Sequence, residues 1–395
     1  MNVLLTSLFY EYRFGGAEMV ARTLRQSFAE QLGWRVDVLC YDGGTETDVA
    51  GNVFRIPRAG IWQGRDEQFK RACLFLGHRR WDQSLEQRAL DLPLAGKSYD
   101  WICCADVNAL PLSQRLAQRW NKPLMSYLQE ALPRRLAKGQ ALWPVRAMLN
   151  AMLARREKVW QRALRDCRAV ACVSDFIRER GRRFAGDGQW NTIYPPAEEY
   201  VLQPPTAPPP NGNAAPSLLF IGRLSQEKGL HLLLQAWSRL PRETTLTIVG
   251  LGGPLGAAVE RAARADARIT VLPAVPHREV PALMARHQVV CCPSVVEESF
   301  GRTALEGRAA QRCVVVTDRG ALPEVVAGYP LAWTVPASQP HDAFVTALAT
   351  ALSGAIAGQR ALGADELERE RTALSQFSTE AVAAQFLELA AAVAR

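Results

Sequence analysis

The second half of the chain is built on a repeated alternation of short apolar runs and helical stretches, and this constrains the fold more than any other feature. The runs SLLFIGR, TTLTIVG, RITVLPAV, QVVCCPS and RCVVVTD are rich in Val, Ile and Leu and lack a polar face. Between them lie GLHLLLQAWSRL, PLGAAVERAARA, REVPALMARH and TALEGRAAQ, whose apolar positions recur at helical spacing. A strand sends its side chains alternately to both faces, so strands apolar on both faces must be covered on both. Strands joined through helices run parallel, with right-handed crossovers and helices on each side of the sheet.

The first half follows the same grammar. NVLLTS, the loop FYEYRFGGAE, the helical MVARTLRQSFAEQLGW and the strand RVDVLCYD make one βαβ unit. Further strands are expected at YDWICCAD, KPLMSYLQ and AVACVS, with helical stretches within 61–90 and 111–168. At 395 residues the chain exceeds a single typical core. Residues 204–216, PPTAPPPNGNAAP, contain six prolines and no charge, and can form neither helix nor central strand. The expected organisation is therefore an N-terminal Rossmann-like domain over 1–203, a linker over 204–216 and a C-terminal Rossmann-like domain over 217–376, the two facing each other across a cleft. The tail 377–395 contains the helical TEAVAAQFLELAAAVAR, for which docking back on the first domain is one arrangement the sequence leaves open.

Composition excludes several classes. No stretch reaches the roughly 18 apolar residues of a membrane span, and MNVLLTS lacks the basic start and cleavage site of a signal peptide, so a cytoplasmic protein is expected. The nine cysteines show no CxxC pair and no metal-ligand spacing, which points to reduced, buried thiols and no metal. The formal net charge of +8 is uneven: residues 54–183 hold 26 Lys and Arg against 12 Asp and Glu. Arg134, Arg135, Lys138, Arg146, Arg155, Arg156, Lys158, Arg162 and Arg165 are interleaved with Leu, Met, Trp143 and Trp160. Such a pattern suits contact with anionic lipid or a solvated helix face, and no reader motif supports nucleic-acid binding.

Two segments carry candidate chemistry. IGRLSQEKGL, residues 221–230, follows a strand and offers Arg223 and Lys228 just before a helix begins, where free amides and the helix dipole favour an anion. It reads either as a diphosphate site or as a solvated loop in which Glu227 pairs locally. EESFGRTALEG, residues 297–307, places Glu298 in a turn and Glu306 on the second turn of a helix from about Arg302, with Gly301 permitting close backbone approach. Carboxylates accept from vicinal hydroxyls, whereas acids at a helix start also arise merely because each stabilises the dipole by about 0.3–1 kcal/mol. Their order at the C-terminal ends of neighbouring strands favours one ligand made of sugar, phosphate and second sugar.

The set FIGRLSQEKGLHLLLQAW, IVGLGG, ESFGRTALEG and GALPEVV resembles the donor-binding domain of family 4 glycosyltransferases of the GT-B fold, over nearly all of residues 217–330. The E-x7-E pattern at Glu298 and Glu306 is its diagnostic piece, and FGGAE at 14–18 is similar to the family's N-terminal loop. The likeness is weak over 50–190, the acceptor side. The resemblance implies that Arg223 and Lys228 bind the nucleotide diphosphate and that Glu306 accepts from the ribose. It implies too that Glu298, with the amides of Phe300 and Gly301, holds the donor sugar. Gly15 and Gly16 would approach the phosphates, and the segment from Pro273 to Val275 would contact the base. Members retain anomeric configuration and need no metal or other cofactor. One departure is clear: where relatives often place a His after the strand in PLMSYLQEALP, this chain has Gln129 and Glu130. Asp106, at the end of WICCAD, is either a further acceptor-side contact or a turn former.

The expected activity is transfer of a hexose from a UDP- or GDP-sugar, with retention, to a glycan or lipid-linked acceptor in bacterial cell-surface polysaccharide or lipopolysaccharide synthesis. It would take place peripherally at the inner face of the membrane. Two alternatives stand beside it: a nucleotide-sugar 2-epimerase of the same fold, and a non-catalytic sugar-nucleotide or membrane-binding subunit.

Overall fold

The computed structural model describes all residues except 8–9, 11–15, 41–51, 57–85, 93, 95–96, 133–142, 204–214, 251 and 394–395, and describes only the backbone of 16–18, 143–146 and 149. The chain divides into two units, Met1–Pro196 with Thr379–Arg395, and Ala197–Ser378.

The first unit holds strands β1 (Asn2–Ser7), β2 (Arg35–Cys40), β3 (Val53–Arg55), β4 (Trp101–Cys104), β5 (Leu124–Leu128), β6 (Ala169–Cys172) and β7 (Trp190–Thr192). Its helices are α1 (Gly16–Leu32), α2 (Leu110–Trp120), α3 (Trp143–Arg165) and α4 (Asp175–Ala185). Among the described residues the strands form one parallel sheet in the order 3-2-1-4-5-6-7, with Val3 opposite both Val36 and Trp101. This is a doubly wound sheet, and the order reverses at β1 and β4. Cys103 and Cys104 point to opposite faces and are both fully buried, which pushes both thiols up, that of Cys104 to about 11. They stay protonated in ordinary conditions and are inert.

The C-terminal helix belongs to this first unit. Phe386 is fully buried, with its ring 5.0 Å from that of Phe28 on α1 and 5.3 Å from Tyr127 on β5. Ser27 Oγ donates to the Thr379 carbonyl at 2.6 Å. Burying Phe386 contributes roughly 1.5–3 kcal/mol, so the tail completes this core instead of decorating it.

The second unit begins with the short helix α5 (Glu199–Leu202) and continues through β8 (Ser217–Ile221), α6 (Leu230–Trp237), β9 (Thr245–Val249), α7 (Gly256–Ala265) and β10 (Ile269–Leu272). After these come α8 (Val280–Ala285), β11 (Val289–Cys292), α9 (Arg302–Ala309), β12 (Cys313–Thr317), α10 (Leu322–Val325) and β13 (Ala332–Val335), then α11 (His341–Gly358), α12 (Ala364–Ser375) and, in the first unit, α13 (Thr379–Val393). The sheet is again parallel, in the order 10-9-8-11-12-13, so its switch point lies between β8 and β11. Leu219, Val249, Val280, Met284 and Val290 make a core beneath that point.

Two expectations need correction. Residues 197–203 belong to the second unit and not to the first, because Glu198 and Tyr200 bond to Arg302 and His277 of that unit; most of the proline-rich segment, 204–214, lies outside the described residues. The basic, tryptophan-bearing stretch is also not one amphipathic surface. Trp160 is fully buried and Arg156 nearly so, its guanidinium 5.9 Å from the Trp160 ring, and both serve the interior. Arg134, Arg135 and Lys138 lie outside the described residues, and the side chains of Trp143 and Arg146 are not described. No described helix is long and apolar enough to cross a membrane.

Candidate active site

The loops leaving β8 and β11 meet at the switch point of the second sheet, where open α/β sheets bind ligands. The loop after β8 ends at Gly229, whose φ of +70° begins α6. A Cβ there would fall 1.8 Å from the Pro293 carbonyl oxygen, so only glycine lets the loop pass this close to the end of β11. The Val295 amide then donates to the Glu227 carbonyl at 3.0 Å and locks the two loops together.

This contact brings the predicted residues into reach of one another. Lys228 Nζ donates to Glu298 Oε1 at 2.6 Å across 70 residues of sequence, and Ser294 Oγ donates to the same oxygen. An ammonium has three donors, so two remain on Lys228, and both of these contacts to the Glu298 carboxylate fall on one of its oxygens. The Glu298 carbonyl accepts from the Ala321 amide at 2.9 Å, which steadies the turn. Arg223 is different. Its guanidinium is mostly exposed and, among the described residues, is held by Glu227 at 3.2 Å, an i,i+4 surface pair of small net worth that leaves it able to swing onto an anion.

Helix α9 starts as expected. Gly301 caps it with φ +107°, a conformation that costs an L side chain, and the first-turn amides of such a helix lack intrahelical acceptors. Phe300 is buried with its ring 5.7 Å from Phe377, so that side chain is an anchor. Val275 likewise packs its side chain on the core.

Glu306 is nearly buried and does not stand alone. Its Oε1 lies 2.7 Å from His277 Nε2, and His277 Nδ1 lies 2.6 Å from the Tyr200 hydroxyl. Arg302 NH2 donates to Glu198 Oε2 at 2.8 Å, and Arg302 Nε lies 3.8 Å from Glu306. Burial alone would raise the Glu198 carboxyl, but Arg302 and then His277 outweigh it and hold its pKa below the ordinary value. Burial likewise works against the Arg302 charge, and Glu198 and Glu306 more than restore it. Burial, above all, lifts the Cys292 thiol at the end of β11 to about 12, so it stays a protonated thiol here.

Sequence reasoning missed Glu198, Tyr200, His277, Ser294 and Arg302. A position just past β10 at the C-terminal edge of the sheet was the one available signal for His277. Of the remaining predicted residues, Gly15 lies outside the described residues and Gly16 is the first residue of α1. Asp106, Gln129 and Glu130 sit at the C-terminal ends of β4 and β5 in the first unit. Asp106 Oδ1 accepts from both the amide and the side chain of Asn108, at 2.7 and 2.9 Å, which is the geometry of a turn former. Gln129 is buried and its amide donates to the Ala105 carbonyl at 2.7 Å, leaving its second N–H and its oxygen for other work.

Two family descriptions cover most of the chain. Glycosyltransferase Family 4 matches residues 14–198, and Glycosyl transferases group 1 matches residues 215–354. The chain is 32% identical over 181 residues to the D-inositol 3-phosphate glycosyltransferase of Corynebacterium glutamicum, a match covering 43% of this chain and 42% of that protein. It is 32% identical over 133 residues to the lipopolysaccharide 1,2-N-acetylglucosaminetransferase of Salmonella typhimurium, covering 29% and 34%. The matches thus span less than half the length of these curated relatives. Among solved structures, the sucrose-phosphate synthase of Thermosynechococcus elongatus aligns with a TM-score of 0.76 at 20% identity over 98% of both chains. Anabaena HepE, solved in complex with UDP-glucose, aligns at 0.67 and 17% identity over 99% of this chain and 100% of its own. At such identities the structures speak to fold alone. The two adjoining matches, the paired parallel sheets and the E-x7-E carboxylates on one helix start together place this chain in glycosyltransferase family 4, with the GT-B fold.

Proposed function

We propose that the protein transfers a hexose from a nucleotide sugar to a glycan or lipid-linked acceptor, with retention of anomeric configuration and without a metal or cofactor. The observation that carries this reading is the pairing of Lys228 with Glu298 beside the amide-rich start of α9, one helical segment from Glu306. Lys228, Arg223 and the helix terminus neutralise the charge that develops on the departing diphosphate, the task a metal performs elsewhere. Glu298 accepts from hydroxyls of the transferred sugar, and Glu306 from the ribose. A role in bacterial cell-surface glycan synthesis draws support from a curated relative named for lipopolysaccharide glycosyl transfer.

The donor is tested by thermal shift. A ligand bound only by the folded state raises the melting temperature, by about 2.7 kcal/mol of stability at a hundred times its Kd. Among UDP-, GDP- and ADP-sugars one base series is expected to stabilise the protein, with the matching nucleoside diphosphate doing likewise. No shift with any of them removes the nucleotide-sugar reading.

Peripheral contact with anionic lipid rests on a narrower set of residues than the sequence suggested. On α3, Arg155, Lys158, Arg162 and Arg165 are exposed at three- and four-residue spacing and so share one face. Each is worth about 1 kcal/mol at an anionic surface, so the variant R155Q/K158Q/R162Q is expected to partition roughly a hundredfold less onto phosphatidylglycerol vesicles. Equal sedimentation of variant and native protein rules this face out as the contact.

A further inference from the structure

Glu306 reads ribose, under the proposal above, only if its carboxylate is held in one orientation. The side chain that holds it comes from another part of the fold. His277 opens the turn after β10, and its Nε2 lies 2.7 Å from Glu306 Oε1. A carboxylate only accepts, so Nε2 carries the proton and donates. On the other side of the ring Nδ1 lies 2.6 Å from the Tyr200 hydroxyl, which holds it there. The ring is fixed from both sides. Arg302 reinforces the arrangement: it donates to Glu198 at 2.8 Å and reaches toward Glu306 at 3.8 Å, while Glu198 lies 3.9 Å from His277 Nδ1. Every one of these side chains is largely withdrawn from solvent.

We propose that His277 is a positioning residue for the donor nucleotide: through the chain Tyr200, His277, Glu306 it orients the carboxylate that accepts from the ribose hydroxyls and thereby sets the preference for a ribonucleotide. A donor behind the accepting group that fixes its orientation is the same device that orients ligating side chains in metal sites. With Oε1 engaged by His277, the second oxygen and the remaining lone pair of Glu306 are presented in a fixed plane to a vicinal diol. Without His277 the carboxylate turns toward Arg302 on its own helix, and the diol loses its partner.

The proposal rests on the assignment of Glu306 to the ribose, and the experiment separates the two. The probes are the nucleoside diphosphate giving the largest thermal shift and its 2′,3′-dideoxy counterpart, with Kd measured by calorimetry for native protein, H277A, H277Q and E306A. Native protein is expected to bind the ribose form about ten- to hundredfold more tightly, the worth of hydrogen bonds to a charged acceptor. H277A and E306A are both expected to reduce that ratio to within about threefold. H277Q, which keeps an N–H donor, is expected to restore most of it. In turnover, H277A raises KM for the nucleotide sugar about tenfold and leaves kcat nearly unchanged, because the ribose is bound alike in ground and transition states. Full discrimination in H277A, or loss in H277Q as deep as in H277A, overturns the proposal. Should H277A fail to fold, Y200F decides: it removes only the hydroxyl that holds the ring at Nδ1, discrimination must fall, and native discrimination there overturns the proposal too. If native protein binds the nucleotide but does not distinguish the dideoxy form, the ribose assignment of Glu306 fails and this proposal with it. If native protein binds no nucleoside diphosphate, the donor-site reading itself is wrong.

Discussion

Lys228→Ala is expected to lower kcat for sugar transfer about a hundredfold or more, the cost typical of removing one preorganised donor to a developing oxyanion. Under the proposed function that residue has two tasks. Its ammonium holds Glu298 at 2.6 Å, and it has two further donors for the leaving diphosphate. The diphosphate gains charge as the glycosidic bond breaks, so the lost interaction is stronger in the transition state than in the ground state. Accordingly kcat and kcat/KM fall together, and KM for the donor moves little. Glu227→Ala provides the control, since its contact with Arg223 is an exposed pair and its removal leaves turnover within about twofold. Initial rates of nucleoside diphosphate release in the presence of acceptor check both variants. Turnover of Lys228→Ala within a few-fold of native protein would remove Lys228 from the catalytic assignment.

The second large effect concerns stability. Arg308 on α9 and Glu370 on α12 form a buried bidentate pair, Nε to Oε2 at 2.7 Å and NH2 to Oε1 at 3.2 Å. Arg308 also donates to the Val325 carbonyl at 2.8 Å, and its guanidinium lies 5.6 Å from the Tyr329 ring. Glu370→Ala leaves that cation buried without its counter-ion and is expected to cost about 3–5 kcal/mol. With about 2–4 °C per kcal/mol for a unit of this size, the transition of the second unit falls by roughly 6–20 °C in differential scanning calorimetry. The double variant R308M/E370L removes both charges and replaces them with apolar volume, so it regains most of the loss, because desolvating the pair offsets much of its attraction. A single variant that melts with native protein would show that the pair is solvated and not structural. Because α9 begins at the donor site, the same loss is expected to weaken nucleotide binding.

Particular residues show where sequence was sufficient. The strands within SLLFIGR and QVVCCPS, the helix start at about Arg302 and the parallel winding all followed from apolar runs and helical spacing, because these are local signals. Glu298 and Glu306 were legible because the ligand-facing turn and its helix are contiguous. His277 and Tyr200 were not, since 29 and 106 residues separate them from Glu306. Trp160 and Arg156 misled for a related reason: a helix with one exposed basic face and one buried face carries Arg on both when the buried Arg has an aromatic neighbour.

By itself, the sequence determined the alternation of strands and helices, the division into two parallel-sheet units, and the residue types offered at the ends of β8 and β11. Periodicity and the chemistry of turns act over a few residues, and so they survive reading along a line. Tertiary structure alone decided that residues 197–203 close onto α9 and the turn after β10, that the final helix fills the core of the first unit, and that Lys228 meets Glu298 while His277 meets Glu306. Those pairings depend on which loops the parallel order brings side by side at the switch point, and that order is a property of the folded sheet.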